Sequence, residues 1–118
     1  MSTITARRNA RWRQVDKDRA KADFAVHLVA MAFEVTAQAV WEGDRDAPAV
    51  RARHVAFYLT VVGFGLSMAR VGAAFGRDRT SVAHALSRVE AWRDDPSFDA
   101  ALLQLEQAVR HAPTARFP

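Results

Sequence analysis

Glycine and proline occur at only a few points of this chain, and the stretches between them have the periodicity of amphipathic helices. Apolar side chains recur there at steps of three and four residues, and no alternating strand pattern of useful length is present. A chain of 118 residues with 50% hydrophobic composition can bury a single core. The sequence therefore predicts an all-α fold, in which about five helices form one compact domain.

The same residues predict where each helix begins and ends. Asp46 and Pro48 are typical of a helix start, because aspartate caps the first turn and proline fits it. Gly76 is typical of a helix end. The predicted helices are Val15–Trp41, Pro48–Val62, a short helix capped by Ser67 and running through Phe75, Asp78 or Thr80 to Arg93, and Ser97–His111.

Positive charge is concentrated in two places. Residues 1–21 hold seven Lys or Arg against Asp16 and Asp18, a balance of +5, and the other 97 residues have ten against eleven, a balance of −1. A second local excess lies between Arg51 and Arg93, where seven arginines face two acidic residues. A basic arm alone is typical of a solubilising tail, but the second cluster favours a polyanionic partner.

Several classes of function lack their motifs. The chain has no cysteine, no secretory signal and no uninterrupted apolar run of about 20 residues, so we expect a cytoplasmic protein without disulfides or a membrane span. No phosphate-binding glycine loop or nucleophile elbow is present, and no histidine is followed by a ligand partner at helical spacing. We expect no catalytic residues, metal, cofactor or small-molecule substrate, and we interpret His54 as a surface residue.

The stretch from Ser67 to Val89 has the pattern of a helix-turn-helix: SMARVGAAFG, then RD, then RTSVAHALSRV. Winding the second helix at 100° per residue separates two faces. The inward face consists of Val82, Ala85, Leu86, Val89 and Trp92. The outward face consists of Thr80, His84 and Ser87, flanked by Arg79, Ala83 and Arg88.

A recognition helix meets base edges with its first turn, where this chain has Arg79, Thr80 and Ser81. Arginine can bind guanine through two hydrogen bonds, and threonine can hydrogen-bond a base or pack on thymine. His84 lies one turn further and is a candidate base contact, with an unpaired surface histidine as the alternative. Ser87 is a candidate phosphate contact on the same face.

The sequence GAAFGRDRTSVAHALSRV, at 72–89, resembles the signature of the C-terminal DNA-binding domain of the bacterial replication initiator DnaA, and the preceding ARHVAFYL extends the likeness to about residues 45–93. The resemblance implies a helical binder of double-stranded DNA. It implies base contacts from Asp78, Arg79, Thr80 and Ser81. It implies phosphate contacts from Ser67, Arg77 and Arg88. It also implies an approach to the minor groove or backbone by Arg45, Arg51 and Arg53.

The chain departs from that family in informative places. Arg79 stands where the family has histidine, which implies a DNA target other than the initiator's box, and Ala83 is smaller than the usual apolar residue. The 118 residues contain no ATPase region of the initiator type. With HLVAMAFEV, FGLS and RDDPSFD, the chain resembles the small stand-alone regulators of alphaproteobacteria, including activators of gene transfer agent and prophage-like clusters. For a regulator of this kind, RNA polymerase or a sigma factor is a candidate partner besides DNA.

The first helix has two apolar stripes, one built around Phe24, Leu28, Met31 and Val35 and the other roughly opposite. One interpretation packs each stripe against a different part of the domain. The other makes the second stripe a surface for a homodimer or for the transcription machinery. The residues of this candidate partner surface are Val26, Val29, Phe33 and Val40.

The sequence thus divides into a basic arm (1–14), an N-terminal helix (15–44), a helix-turn-helix DNA-binding domain with a C-terminal packing helix (45–111) and a tail (112–118). The leading hypothesis is a sequence-specific transcriptional regulator, an activator, associated with the nucleoid. The alternatives are a replication modulator that binds initiator-like boxes and a helical adaptor between proteins that does not bind DNA. An enzyme is the last-ranked hypothesis.

Overall fold

The computed structural model describes the backbone of residues 3–112 and the side chains of residues 13–112. Within that range the chain is helical, with connections of three or four residues and no strand, so the predicted all-α fold is confirmed. The tail predicted at 112–118 lies, after Ala112, outside the described residues. The helices are α1 (Thr3–Phe33), α2 (Ala37–Glu42), α3 (Ala47–Tyr58, continued by a π-helical turn Leu59–Gly63), α4 (Met68–Phe75), α5 (Arg79–Trp92) and α6 (Pro96–Arg110).

The prediction of one helix from Val15 to Trp41 was wrong. The chain breaks after Phe33, where Glu34 adopts a left-handed backbone conformation with φ of 55°. Thr36 then begins α2, because its side-chain oxygen accepts a hydrogen bond of 3.0 Å from the Ala39 N–H. The backbone of α1 also extends back to Thr3, so the predicted basic arm continues the same helix.

The candidate partner surface was also wrong, because those residues form part of the core. Val26, Val29 and Val40 are 0% exposed, and Phe33 is partly buried against them. By contrast, Met31 of the other stripe is 78% exposed. Helix α1 contacts α3, α4 and α6, and the small side chains of Ala22 and Ala25, both 0% exposed, let those helices come close.

An ion pair joins α1 to the first turn of α4. The Arg70 guanidinium donates two hydrogen bonds to the buried Asp18 carboxylate, of 2.9 Å from Nε and 2.6 Å from Nη2, and Gln14 donates a third of 2.9 Å. Burial raises the pKa of Asp18, but the hydrogen bonds from Arg70 and Gln14 outweigh it and hold the pKa below its ordinary value. This pair sets the position of α4 on α1.

A second network fixes α6. Arg93, at the end of α5, donates hydrogen bonds of 2.7 Å to Asp99 and 2.8 Å to the Tyr58 hydroxyl. One side chain therefore connects α3, α5 and α6. None of the helices in the described range is both long and apolar enough to cross a lipid bilayer.

Candidate nucleic-acid interface

Helices α4 and α5 form the predicted helix-turn-helix. The Ser67 hydroxyl caps α4 by accepting a 3.2 Å hydrogen bond from the Arg70 N–H, and Gly76 ends the helix with φ of 67°. The turn then folds back on α4, because the Arg77 N–H donates to the Gly72 carbonyl at 2.8 Å. A Cβ at Gly72 would lie 2.6 Å from the Arg77 carbonyl oxygen, so only glycine fits this approach.

Asp78 caps α5, since its Oδ1 accepts a 2.7 Å hydrogen bond from the Ser81 N–H. This bond, with contributions from the Ser81 side chain and the Thr80 N–H, lowers the pKa of Asp78. The carboxylate is therefore an acceptor at neutral pH. Arg79, Thr80 and Ser81 follow in the first turn of α5, and all three are exposed. The turn thus presents a cation, two hydroxyls and a carboxylate to the solvent.

The two predicted faces of α5 agree with the structure. Val82, Ala85 and Val89 are buried, and Leu86 and Trp92 are partly buried against the core. The outward residues Thr80, Ala83, His84, Ser87 and Arg88 are exposed. The His84 Nε2 accepts a 2.9 Å hydrogen bond from Arg88 Nε, so these two side chains are linked along the outward face.

An open cavity of about 600 Å³ lies at the other end of that face. It brings Arg45 of the loop before α3 and Arg51 of α3, which the resemblance placed at the minor groove or backbone, together with Arg88 of α5, which it placed at a phosphate. Arg51 and Arg88 belong to different helices, and the packing of α3 on α5 brings them to one site. The remaining lining residues are Phe33, Ala47, Pro48, Val50, His54 and Trp92.

His54 was interpreted as a surface residue, but it lies half-buried in the wall of this cavity. Its ring stacks on Trp92, with centroids 5.9 Å apart, and meets His84 edge-on at 6.4 Å. Its Nδ1 is buried without a hydrogen-bond partner. Spacing could have revealed this neighbourhood, because Arg51 and His54 are three residues apart on α3 and Arg88 and Trp92 are four apart on α5, spacings at which helical side chains are neighbours.

Burial, followed by the charges of Arg88, His84 and Arg53, lowers the pKa of His54 to about 4. The neutral ring leaves the cavity's charge at neutral pH to its arginines. Among residues 13–112, no three His, Asp or Glu side chains are arranged to hold a metal ion.

The depressed pKa of His54 predicts a pH dependence of stability. The unfolded chain takes up this proton near pH 6.5 and the folded chain only near pH 4. Between these two pH values the unfolded chain binds the His54 proton and the folded chain does not. The free energy of unfolding is therefore at its full value above pH 6.5 and decreases as the pH falls from 6.5 towards 4. We expect His54→Gln to reduce this decline in the free energy of unfolding, measured by urea denaturation at pH 7, 5.5 and 4.5. His27→Gln, at an exposed histidine of α1, should keep it. Parallel curves for wild type and His54→Gln would contradict the prediction.

Arg53 does not face this surface, which corrects the expectation that it contacts DNA. It is 7% exposed, and its guanidinium donates to three carbonyls at the end of α2 and the loop beyond it. The distances are 2.8 Å to Val40, 2.9 Å to Ala39 and 3.0 Å to Asp44. The side chain closes the C-terminus of α2 and is not available to a ligand.

Arg77 remains exposed and lies in the turn between α4 and α5. Its Nη2 would be 2.9 Å from a Cβ added at Gly43, so its guanidinium lies against the loop between α2 and α3. The candidate interface is therefore the first turn of α5, the outward face of that helix, Arg77, the capping Ser67 and the cavity of Arg45, Arg51 and Arg88.

Comparison with known proteins agrees with the helix-turn-helix formed by α4 and α5. A model of the bacterial DnaA protein helix-turn-helix matches residues 23–89. The crystal structure of a DNA replication initiation factor is similar to this chain, with a TM-score of 0.72 and 27% sequence identity. That similarity covers 89% of this chain and 31% of the other, so the chain corresponds to about a third of that protein. Because the matched residues make up more than half of the 118, this chain belongs to the bacterial DnaA helix-turn-helix family.

Proposed function

We propose that this protein binds specific sequences of double-stranded DNA and regulates transcription. The observation that carries the proposal is the continuity of one surface on α5. Its first turn exposes Arg79, Thr80 and Ser81, and the same helix leads to a cavity with three arginines. Base edges are read by hydrogen-bonding side chains that enter the groove, and phosphates are bound by cations around them.

In this proposal the first turn of α5 enters the major groove. Arg79 donates two hydrogen bonds to guanine, Thr80 packs or hydrogen-bonds at the neighbouring base, and Asp78 accepts from a cytosine amino group. His84 follows one turn later. DNA phosphates are neutralised by four arginines, Arg45, Arg51, Arg77 and Arg88. The hydroxyls of Ser67 and Ser87 donate hydrogen bonds to the DNA backbone.

The finer role that we propose is that of an activator in the cytoplasm, at the nucleoid, acting through RNA polymerase or a sigma factor and without catalytic activity. The support is the resemblance of HLVAMAFEV, FGLS and RDDPSFD to stand-alone regulators of gene transfer agent and prophage-like clusters. Because Val26, Val29 and Val40 are buried, a homodimer would need a surface other than the one that the sequence indicated.

The test is selection of bound duplexes from a random library, followed by mobility shifts at several salt concentrations. Four arginine contacts to phosphate predict that log K falls with log salt with a slope of about −3 to −4. No shift of any duplex at low salt would reject DNA binding and favour the protein adaptor.

A second candidate is a replication modulator, favoured by the similarity to the replication initiation factor. The selected motif separates the two functions. Recovery of an initiator-like box would support the modulator, and a different motif upstream of promoters would support the regulator.

A further inference from the structure

The side chain of Arg51 is held between two aromatic rings at the edge of the cavity. Its guanidinium carbon lies 4.5 Å from the centroid of Trp92 and 5.1 Å from that of Phe98. The two rings meet edge to face, with centroids 5.8 Å apart and an angle of 78°. We call these two residues the aromatic clamp. A guanidinium is weakly hydrated and planar, so it stacks favourably on aromatic faces.

The clamp depends on α6, which lies outside residues 23–89 matched by the family. Phe98 is in the first turn of α6, where Asp95 caps the helix by accepting a 3.0 Å hydrogen bond from the Ser97 N–H. The neighbouring Asp99 is bound by Arg93, which also binds Tyr58 of α3. The ring of Phe98 is therefore held at a fixed position relative to α3, which carries Arg51.

An arginine on a surface helix usually loses side-chain freedom when it binds a phosphate. Arg51 is already confined by its contacts with the two rings, and it lines the same cavity as Arg45 and Arg88. The two rings are at 78° to each other, so the guanidinium plane can lie parallel to only one of them. Aromatic faces attract the cation without using up its five N–H donors, which leaves donors for an anion.

We propose that Trp92 and Phe98 are positioning residues that hold Arg51 ready for DNA, so that α6 is part of the binding apparatus. The inference rests on the proposed function. The clamp raises DNA affinity because Arg51 loses less side-chain freedom when it binds a phosphate. Substitution of Phe98 should therefore change DNA affinity only when Arg51 is present.

The test is a double-mutant cycle measured by fluorescence anisotropy with a selected duplex. Arg51→Ala should lower affinity and reduce the salt slope by about 0.9, the value of one phosphate contact. Phe98→Leu should lower affinity by about two- to fivefold in the wild type, the scale of a lost cation–π contact. In the Arg51→Ala background it should change affinity by no more than the measurement error.

Leu105→Ala is the matched control. Leu105 is also a partly buried apolar residue of α6, but it does not belong to the aromatic clamp of Trp92 and Phe98. It should leave DNA affinity unchanged at temperatures where thermal melting shows the variants folded. Equal loss from Phe98→Leu in both backgrounds, or none in the wild type, would overturn the clamp while DNA binding stands. Failure of the wild type to bind any duplex would instead overturn the proposed function.

Discussion

Replacement of Arg79 by alanine is expected to weaken binding to the selected duplex by about 5- to 150-fold, the equivalent of about 1 to 3 kcal/mol for a good base contact. Binding to random duplexes should change little, because Arg79 lies in the exposed first turn of α5, where base edges are read. Titrations with both duplexes at one salt concentration measure the two losses. Since the Arg79 side chain is exposed, its removal should not unfold the protein.

Arg88→Ala is the matched control for Arg79. It removes an arginine from the same helix, but at the cavity, where we place a phosphate. Its loss should be similar on selected and random duplexes and should reduce the salt slope by about 0.9. Equal losses on both duplexes from Arg79→Ala would reject base reading by Arg79. Because the resembling family has histidine at this position, Arg79→His should also shift the preferred base.

Local signals in the sequence sufficed for the helices that present the interface. Ser67, Asp78 and Gly76 each have a side chain or conformation that acts within one turn, so their roles did not depend on distant residues. The faces of α5 were predictable for the same reason, because a helix of 14 residues turns its apolar stripe to one side. The family resemblance then indicated which of the exposed residues contact DNA.

The break after Phe33 could not be placed in this way, because neither glycine nor proline stands there. Thr36 was the available signal for a new helix, but a threonine within an apolar segment is also compatible with an unbroken one. Arg53 was misplaced for a different reason. The predicted helix ended at Trp41, one residue before the end of α2, but nothing in the sequence indicated that its last carbonyls lie against Arg53. Burial of an arginine depends on the partners that the tertiary structure supplies.

The structure predicts a large loss of stability from Arg53→Met, of about 2 to 4 kcal/mol. The variant keeps a long side chain but removes the donor of the buried hydrogen bond to Val40 and of the partly buried ones to Ala39 and Asp44. A buried unsatisfied group costs about 1 to 3 kcal/mol. Ala39 also accepts from the Gly43 N–H, so its carbonyl loses only part of its bonding. Small domains have about 5 to 15 kcal/mol of stability in total. Urea denaturation at pH 7 measures the change.

Arg45→Met is the control for Arg53, because Arg45 is exposed in the loop before α3 and we place it at a phosphate. It should leave the free energy of unfolding within about 0.5 kcal/mol of wild type and should weaken DNA binding. Arg53→Met should do the reverse once binding is corrected for the unfolded fraction. A stable Arg53→Met protein with weakened DNA binding would mean that Arg53 contacts DNA, as the resemblance implied. The three carbonyl partners of Arg53 predict the opposite result: Arg53→Met unfolds at a lower urea concentration, and its folded fraction still binds DNA.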